Sequence, residues 1–379
     1  MMQISPETQL FIREHSSDDV RVLALQAKKY PDIDMPTAIT QIAGRKVAAE
    51  KIPSWWEIEK IWYPKHLSLE QCSSEITGGF GIDCSFLATG FKSATYVERQ
   101  EELCEIAAHN FPVLNLNHIN IKNEDGVTYL QAMSPVDCLF LDPARRNEHG
   151  GKTVAISDCE PNVAELEELL LQKANRVMIK LSPMLDLSLA LKELKQTQEV
   201  HILSVNNECK ELLILLGQTS PAEISIHCVN LFTKGTQKEQ HFVFTREQEQ
   251  CSECTYTDSL ETYLYEPNAS LLKAGAFRSI AAAYPVRKLH PNSHLYTSDT
   301  FIENFPGRIF RIVNQCSFNK KEVKENLADL KKANVTVRNF PATVAELRKR
   351  IHLAEGGDTY LFASTLNNGQ KVLIRCEKV

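Results

Sequence analysis

Residues able to do chemistry collect in a few stretches of this 379-residue chain. The first is Thr77-Gly78-Gly79-Phe80-Gly81-Ile82-Asp83, whose side-chain-free positions let backbone come close to a ligand just before a helix predicted over 84–89. Downstream, Glu98 closes an apolar run at 94–97, a position from which a carboxylate accepts hydrogen bonds from both hydroxyls of a ribose. Glycine loop and Glu98 together point to an adenosine-type ligand. Asp125, in the polar loop behind the short run 119–121, stands where an acid can reach the exocyclic amine of adenine, or simply be solvated.

The run 136–141 reads as a buried strand delivering Asp142-Pro143-Ala144-Arg145-Arg146 to its carboxyl end, the edge where open α/β sheets bind ligands. Pro143 restricts the backbone of Asp142, whose carboxylate can then orient or deprotonate an amine or ring nitrogen. The competing reading is a helix N-cap at Asp142 with Pro143 in the first turn. Arg145 and Arg146 can clamp a phosphate in a fork or form surface ion pairs. Lys180 and Ser182 end the next strand at the same edge, either lining the substrate side or acting as a solvated cation and a helix cap.

These residues need a scaffold. Residues 20–27 and 37–50 carry apolar residues at three- and four-residue spacing, interrupted by prolines, which predicts an N-terminal helical unit over 1–66. Strand-like runs follow at 94–97, 136–141, 176–181, 200–205 and 223–232, the last pairing with 241–245 across a Lys/Gly turn. Helical stretches at 163–172 and 187–195 supply the crossovers that parallel strands require. The expected fold is α/β, an open Rossmann-like sheet over 67–285. Beyond it, 308–313 and 334–337 are strand-like, 320–332 and 344–352 helical, and 360–366 and 370–376 flank Asn367-Asn368-Gly369, a hairpin signal. A small α+β module closes the chain.

The net charge of −6 is unevenly spread, because residues 287–379 carry 16 Lys/Arg against 9 Asp/Glu while the remainder is strongly acidic. A basic C-terminal module on an acidic body suggests a polyanionic partner for that module. Eleven cysteines lie scattered, mostly in apolar runs, as reduced thiols do. No membrane-length apolar run and no secretory leader is evident, so a cytoplasmic protein is expected. Cys251 and Cys254 have metal spacing, but no second Cys/His pair follows at a zinc-finger distance, and no metal centre is expected.

With Leu69-Glu70-Gln71-Cys72-Ser73-Ser74-Glu75, the glycine segment, Leu141-Asp142-Pro143-Ala144-Arg145-Arg146 and Ile179-Lys180-Leu181-Ser182-Pro183-Met184-Leu185-Asp186 in view, the chain resembles one bacterial family. These are the class I methyltransferases with a C-terminal THUMP-like domain, found largely in Bacteroidetes. The likeness extends to Tyr265-Glu266-Pro267-Asn268 and Lys273-Ala274-Gly275-Ala276-Phe277. It implies S-adenosylmethionine as cofactor, held by Thr77, Gly78, Gly79, Phe80, Gly81, Asp83, Glu98 and Asp125, with Asp142 and Pro143 at the reaction centre. It also implies a ferredoxin-like segment at 286–322, a THUMP-like domain at 323–379 and, by analogy, an RNA substrate.

One departure from the family pattern stands out. A helix and an apolar first strand, roughly twenty residues, are expected between Ser-Ser-Glu and the glycine loop, yet only Ile76 precedes it. Either the first strand is deleted, or 72–76 serve as an abbreviated one. A deletion would favour the alternative function, a noncatalytic nucleotide- or RNA-binding protein that keeps the fold. A nicotinamide dehydrogenase fits less well, since Gly79-x-Gly81 is followed by Cys84 where the dinucleotide fingerprint has glycine.

Overall fold

The computed structural model describes residues 5–16, 18, 23, 26–36, 38–39, 42, 72–145, 155–219 and 221–379. The chain divides into two compact units, Met1–Leu67 and Ser68–Val379. In the first, helix α1 (Pro6–Glu14) starts at Ser5, whose hydroxyl accepts from the Thr8 amide, with Pro6 in the first turn. Phe11 and Ile12 of α1 bury against Leu23, Met35, Ala38 and Ile42. Most of the helical stretches expected at 20–27 and 37–50 lie outside the described residues.

The second unit is built on two sheets. The larger comprises β1 (Cys72–Glu75), β2 (Ser93–Glu98), β3 (Ile119–Asn123), β4 (Val136–Leu141), β7 (Ala174–Leu181), β8 (Thr197–Val205), β9 (Glu208–Gly217), β10 (Ser225–Leu231) and β11 (Glu239–Thr245). The ribbon β5 (Ala144–Arg145) and β6 (Cys159–Glu160) stands apart as a separate pair. The nine strands run in the order β11-β10-β8-β9-β7-β4-β1-β2-β3. Crossovers are made by α2 (Ile82–Leu87), α3 (Glu101–Val113), α4 (Gly126–Ala132), α5 (Val163–Lys173) and α6 (Leu187–Glu193). The strand order reverses at β1, which has β2 on one side and β4 on the other, and that reversal opens the crevice where such sheets bind ligands.

The first strand is therefore present, which corrects the expected deletion near residue 76. Cys72–Glu75 pairs in parallel with both neighbours, Ser74 opposite Thr95 and Leu139, and the Ile76 amide continues to the Phe140 carbonyl at 3.2 Å. Its sequence, Cys-Ser-Ser-Glu, has no apolar alternation, so only the ladders on both sides reveal it. Ser74 and Glu75 are buried despite their polarity.

Strand β9 is a second addition to the sequence reading. It runs antiparallel between β7 and β8, leaving β8 by the two-residue turn Asn206-Asn207, both at positive φ (50° and 68°). Two such residues give the turn whose twist matches a hairpin, and asparagine tolerates that backbone better than most residues.

After α7 (Arg246–Cys251) the chain enters a seven-stranded sheet ordered β13-β14-β12-β15-β18-β17-β16. Its strands are β12 (Tyr263–Pro267), β13 (Arg287–Lys288), β14 (Tyr296–Ser298), β15 (Gly307–Ser317), β16 (Asn334–Val337), β17 (Thr359–Thr365) and β18 (Lys371–Lys378). Its first strand lies well before residue 286, because β12 is antiparallel to both β14 and β15. Between β12 and β13, α8 (Ala269–Ala274) and α9 (Ser279–Ala283) bring Leu271 and Ile280 into the core of the larger sheet, together with Tyr265, Tyr296 and Phe305. Helices α10 (Lys320–Leu327) and α11 (Val344–Ile351) bury Leu327 and Leu347 in one shared cluster on the second sheet. Among the described residues no helix is long and apolar enough to cross a membrane.

Candidate functional site

The carboxyl ends of β1, β2 and β4 open onto a cavity of about 500 Å³ walled by Thr77, Gly79, Glu98, Asp125 and Asp142. Arg99, Gln100, Gly126, Glu160, Asn162 and Glu165 are also part of the wall. Five residues proposed from sequence thus converge on one space from four different loops.

The glycine loop is held from below. Gly79 and Gly81 sit at φ 52° and 73°, backbone that residues with a Cβ rarely adopt, and a Cβ on Gly81 would lie 2.8 Å from the Phe111 ring. The Gly79 amide donates to Glu98 Oε2 at 2.9 Å, and the Tyr96 hydroxyl donates to the Gly79 carbonyl at 2.5 Å. Burial pushes the Tyr96 phenol up, with the Glu98 carboxylate adding to the effect, so it remains a donor at neutral pH. Gly78 lies behind the loop against the Tyr96 ring, while Phe80 projects outward, 66% exposed.

Glu98 is buried with Oε1 accepting from the Gln100 amide at 2.9 Å. Each carboxylate oxygen retains a second acceptor site, so the cis-diol of a ribose can still be received. Asp125 does two things. Its Oδ1 caps α4, accepting from the amides of Val127 and Thr128 at 3.1 and 3.0 Å, while the residue also walls the cavity.

On the other side of the loop lies a charge cluster. Lys180 Nζ is 2.5 Å from Asp83 Oδ2 and 3.1 Å from Asp142 Oδ2. Burial works against the ammonium, but the carboxylates of Asp83, Asp142 and Glu211 outweigh it and hold Lys180 well above its ordinary range. Glu75 shares this space. Burial first, then the charges of Asp83 and Asp142, push its carboxyl well up, while Lys180 opposes them. Glu75 Oε2 is buried without a hydrogen-bond partner among the described residues. With Glu75 holding its proton, the carboxylates of Asp83 and Asp142 still outnumber the ammonium, and the orphaned Glu75 oxygen is a polar atom short of a partner. A ligand with ribose hydroxyls at one end and a cationic group at the other suits this donor set.

The Asp142 backbone amide donates to Thr77 Oγ1 at 2.7 Å, tying the fourth strand's end to the glycine loop. Its side chain is 44% exposed. No helix begins there: Ala144 and Arg145 enter the β5–β6 ribbon, so the N-cap reading of Asp142 does not apply. Pro143 is buried beneath. Ser182 accepts from the Met184 amide at 3.3 Å within a turn and does not wall the cavity. The backbone of Arg145 is paired with Cys159, and Arg146 lies outside the described residues.

The sequence reading passed over Glu75 and Tyr96 as site residues, and also the wall made by Glu160-Pro161-Asn162. Only the last had a legible local signal, Asn162 being an N-cap residue that accepts from the Ala164 amide at the start of α5.

Comparison with known proteins bears on this arrangement. Residues 263–306 match a family model described as a ferredoxin-like domain, and 307–378 match one described as THUMP domain-like. Both boundaries fall earlier than those read from the sequence, in step with the strands of the second sheet. A crystal structure of a provisionally assigned methyltransferase from Porphyromonas gingivalis W83 is similar over 100% of both chains, with 31% identity and a TM-score of 0.80. An rRNA methylase from Streptococcus thermophilus is similar over 40% of this chain and 89% of its own, at 14% identity and a TM-score of 0.30. A provisionally assigned methyltransferase from Streptococcus mutans, solved with SAH, covers 38% of this chain and 87% of its own, at 13% identity and a TM-score of 0.29. No curated protein matches significantly.

Proposed function

The chain belongs to the class I methyltransferases that carry a C-terminal THUMP-like domain, and from that premise we propose that it methylates an RNA base using S-adenosylmethionine. The observation that carries the reading is the convergence of Thr77, Gly79, Glu98, Asp125 and Asp142 on one cavity at the strand-order reversal, beside the anionic cluster of Glu75, Asp83 and Asp142.

When bound, S-adenosylmethionine supplies a methyl group activated by its sulfonium. Glu98 receives the ribose hydroxyls, and Asp125, fixed by its capping bonds, faces the adenine. The Gly78–Gly81 backbone and the carboxylates beside Lys180 hold the methionine end, with Asp83 fixed through Lys180 rather than facing the cavity itself. Asp142 is held by its backbone bond to Thr77 and by Lys180 at Oδ2, and its half-exposed carboxylate orients the accepting nitrogen and takes its proton. No covalent nucleophile is required. Arg145 and Arg146 remain as candidates for the substrate side, while Lys180 is engaged by Asp83 and Asp142 and Ser182 by its own turn.

The RNA assignment rests on the C-terminal module. Lys320, Lys321 and Lys324 of α10 and Lys349 and Arg350 of α11 are exposed on helices that cover the same side of the second sheet, a surface suited to a phosphate backbone. The described cysteines are free thiols, most of them buried, as suits a cytoplasmic protein. The presence of β1 supports the catalytic reading over the noncatalytic one.

The test is mass spectrometry of RNA nucleosides from cells lacking the protein and from cells complemented with Asp142→Ala. One methylated nucleoside should vanish in the deletion strain and stay depressed in the complemented one, by about 10² to 10⁴ in turnover if Asp142 acts as a base. An unchanged profile in the deletion strain refutes the RNA substrate.

A further inference from the structure

Far along the large sheet from the cavity, β8, β10 and β11 carry histidines on the same face. Side chains alternate along a strand. Val200, Ile202, Ile226 and Cys228 point into the core formed with α5, α6 and α8, so Glu199, His201 and His227 point to the opposite face. The register places His201 opposite His227, and His241 opposite Val229, two residues from His227 on the same face. The three imidazoles stack, His201 on His227 with ring centres 4.4 Å apart and His227 on His241 at 5.3 Å, both pairs inclined by only 22°.

We propose that Glu199, His201 and His227 form a binding site for a zinc-type transition-metal ion that ties β8 to β10. One ligand atom from each of the three lies within 4.8 Å of the others. Glu199 Oε2 is 3.1 Å from His201 Nε2 and 4.0 Å from His227 Nε2. Ligand atoms around a tetrahedral zinc ion with bonds of about 2.0–2.1 Å stand about 3.3 Å apart. The Glu199–His227 edge closes by turning Glu199, which is 41% exposed, and His227 must swing out of its stack on His201 so that both Nε2 lone pairs meet at one ion. Two imidazoles and a carboxylate suit Zn²⁺, Co²⁺ or Ni²⁺, with water in the fourth position, and do not suit Mg²⁺ or Ca²⁺, which take oxygen ligands.

The surrounding hydrogen bonds favour the required tautomer of His227, while His201 Nε2, which donates to the Glu199 carboxylate in the metal-free protein, gives up its proton to the solvent when an ion binds. His227 Nδ1 is 3.2 Å from His241 Nε2, so a proton on Nδ1 is donated to His241 and the Nε2 lone pair of His227 faces Glu199. The Ser225 hydroxyl, 3.0 Å from the same Nε2, donates to that lone pair in the metal-free protein. His241 thus occupies the outer position from which metal-binding histidines are oriented. His201 is fully buried while Glu199 and His227 reach the surface, giving the ion a rigid inner ligand and an entry path.

The full-length protein, stripped with a chelator, is titrated with Zn²⁺ against a chromophoric competitor, and with Co²⁺ for its visible absorption. One equivalent should bind at micromolar or tighter affinity, with a tetrahedral Co²⁺ spectrum lacking thiolate charge transfer. His227→Gln and the exposed Glu199→Gln should each weaken binding by more than about tenfold, and His241→Leu by about tenfold, with circular dichroism unchanged. Glu199→Gln keeps the test decisive if the histidine variants fail to fold. Absence of micromolar binding, affinity unaltered in Glu199→Gln, or binding lost in Cys251→Ser/Cys254→Ser instead, overturns the proposal.

Discussion

Two buried ion clusters in this molecule have opposite charge balance. Beside the cavity, Glu75, Asp83 and Asp142 surround the single ammonium of Lys180. At the junction of the ferredoxin-like and THUMP-like domains, the single carboxylate of Glu266 on β12 meets two guanidinium groups, Arg308 from β15 and Arg338 just past β16. Glu266 is 2% exposed, whereas Arg308 and Arg338 are 32% and 36% exposed, so their surplus charge is shared with solvent. Arg338 Nε is buried there without a partner among the described residues, so the junction too keeps an unsatisfied polar atom, and what sets it apart is the sign of its surplus charge and the access of that charge to solvent. The cavity cluster has more carboxyls than ammonium groups, with Glu75 and Asp83 shielded from water and Asp142 44% exposed, and an oxygen of Glu75 has no partner among the described residues. Similar residues therefore gather with opposite charge balance in the two places, the contrast on which the proposed cofactor site rests.

The comparison is tested most severely at Lys180. Lys180→Met leaves buried carboxylates facing each other, and unfolding in urea at pH 8 should show a loss of about 3–5 kcal/mol. Without the ammonium the acids' pKa values rise in the folded state, so the folded protein binds protons that the unfolded chain does not, and stability should recover as pH falls toward 5. A pH-independent loss would mean that Lys180 acts by packing alone.

Glu266→Gln is expected to cost less, about 2 kcal/mol, because the two arginines can be rehydrated where they stand. Cofactor affinity, measured by isothermal titration, should be unchanged, since this residue lies in the second sheet. A fall in cofactor affinity would join the two clusters and break the contrast between them.

The smallest effect, and the one of opposite sign, is predicted for Glu75→Gln. Its carboxyl is raised in the folded protein, so from the ordinary carboxylate range upward the folded state holds a proton that the unfolded chain has released, and stability falls as pH rises through that window. Glutamine removes this dependence. The variant should melt higher than the parent at pH 8, with the difference vanishing below about pH 4, the unfolded value. Equal melting temperatures at pH 8 would show that Glu75 is ionised in the fold.

Legibility from sequence followed the range of the interactions involved. The strands at 136–141 and 334–337 and the hairpin around Asn367-Asn368-Gly369 were legible because alternation or an apolar run, together with turn chemistry, is local. β1 was not, since Cys-Ser-Ser-Glu becomes a strand only by pairing on both sides. β9 was passed over although its apolar run and the Asn206-Asn207 turn are both present in the sequence. In the site, Glu98 and Asp142 could be picked out because acids at the ends of apolar strands are conspicuous. Glu75 and Tyr96 could not, because their roles depend on burial and on contacts across the sheet.

The sequence by itself determined the alternation of strands and helices, the glycine loop, the acids at the strand ends and the basic C-terminal module, since each of these is written in neighbouring residues. Only the tertiary structure decided that a four-residue polar segment is the strand at which the sheet order reverses, that one lysine is shared by carboxylates from the start of α2 and the loop after β4, and that histidines of β8, β10 and β11 stack on one face. Each of these depends on residues distant in the chain meeting where water is excluded, and neither composition nor spacing carries that information.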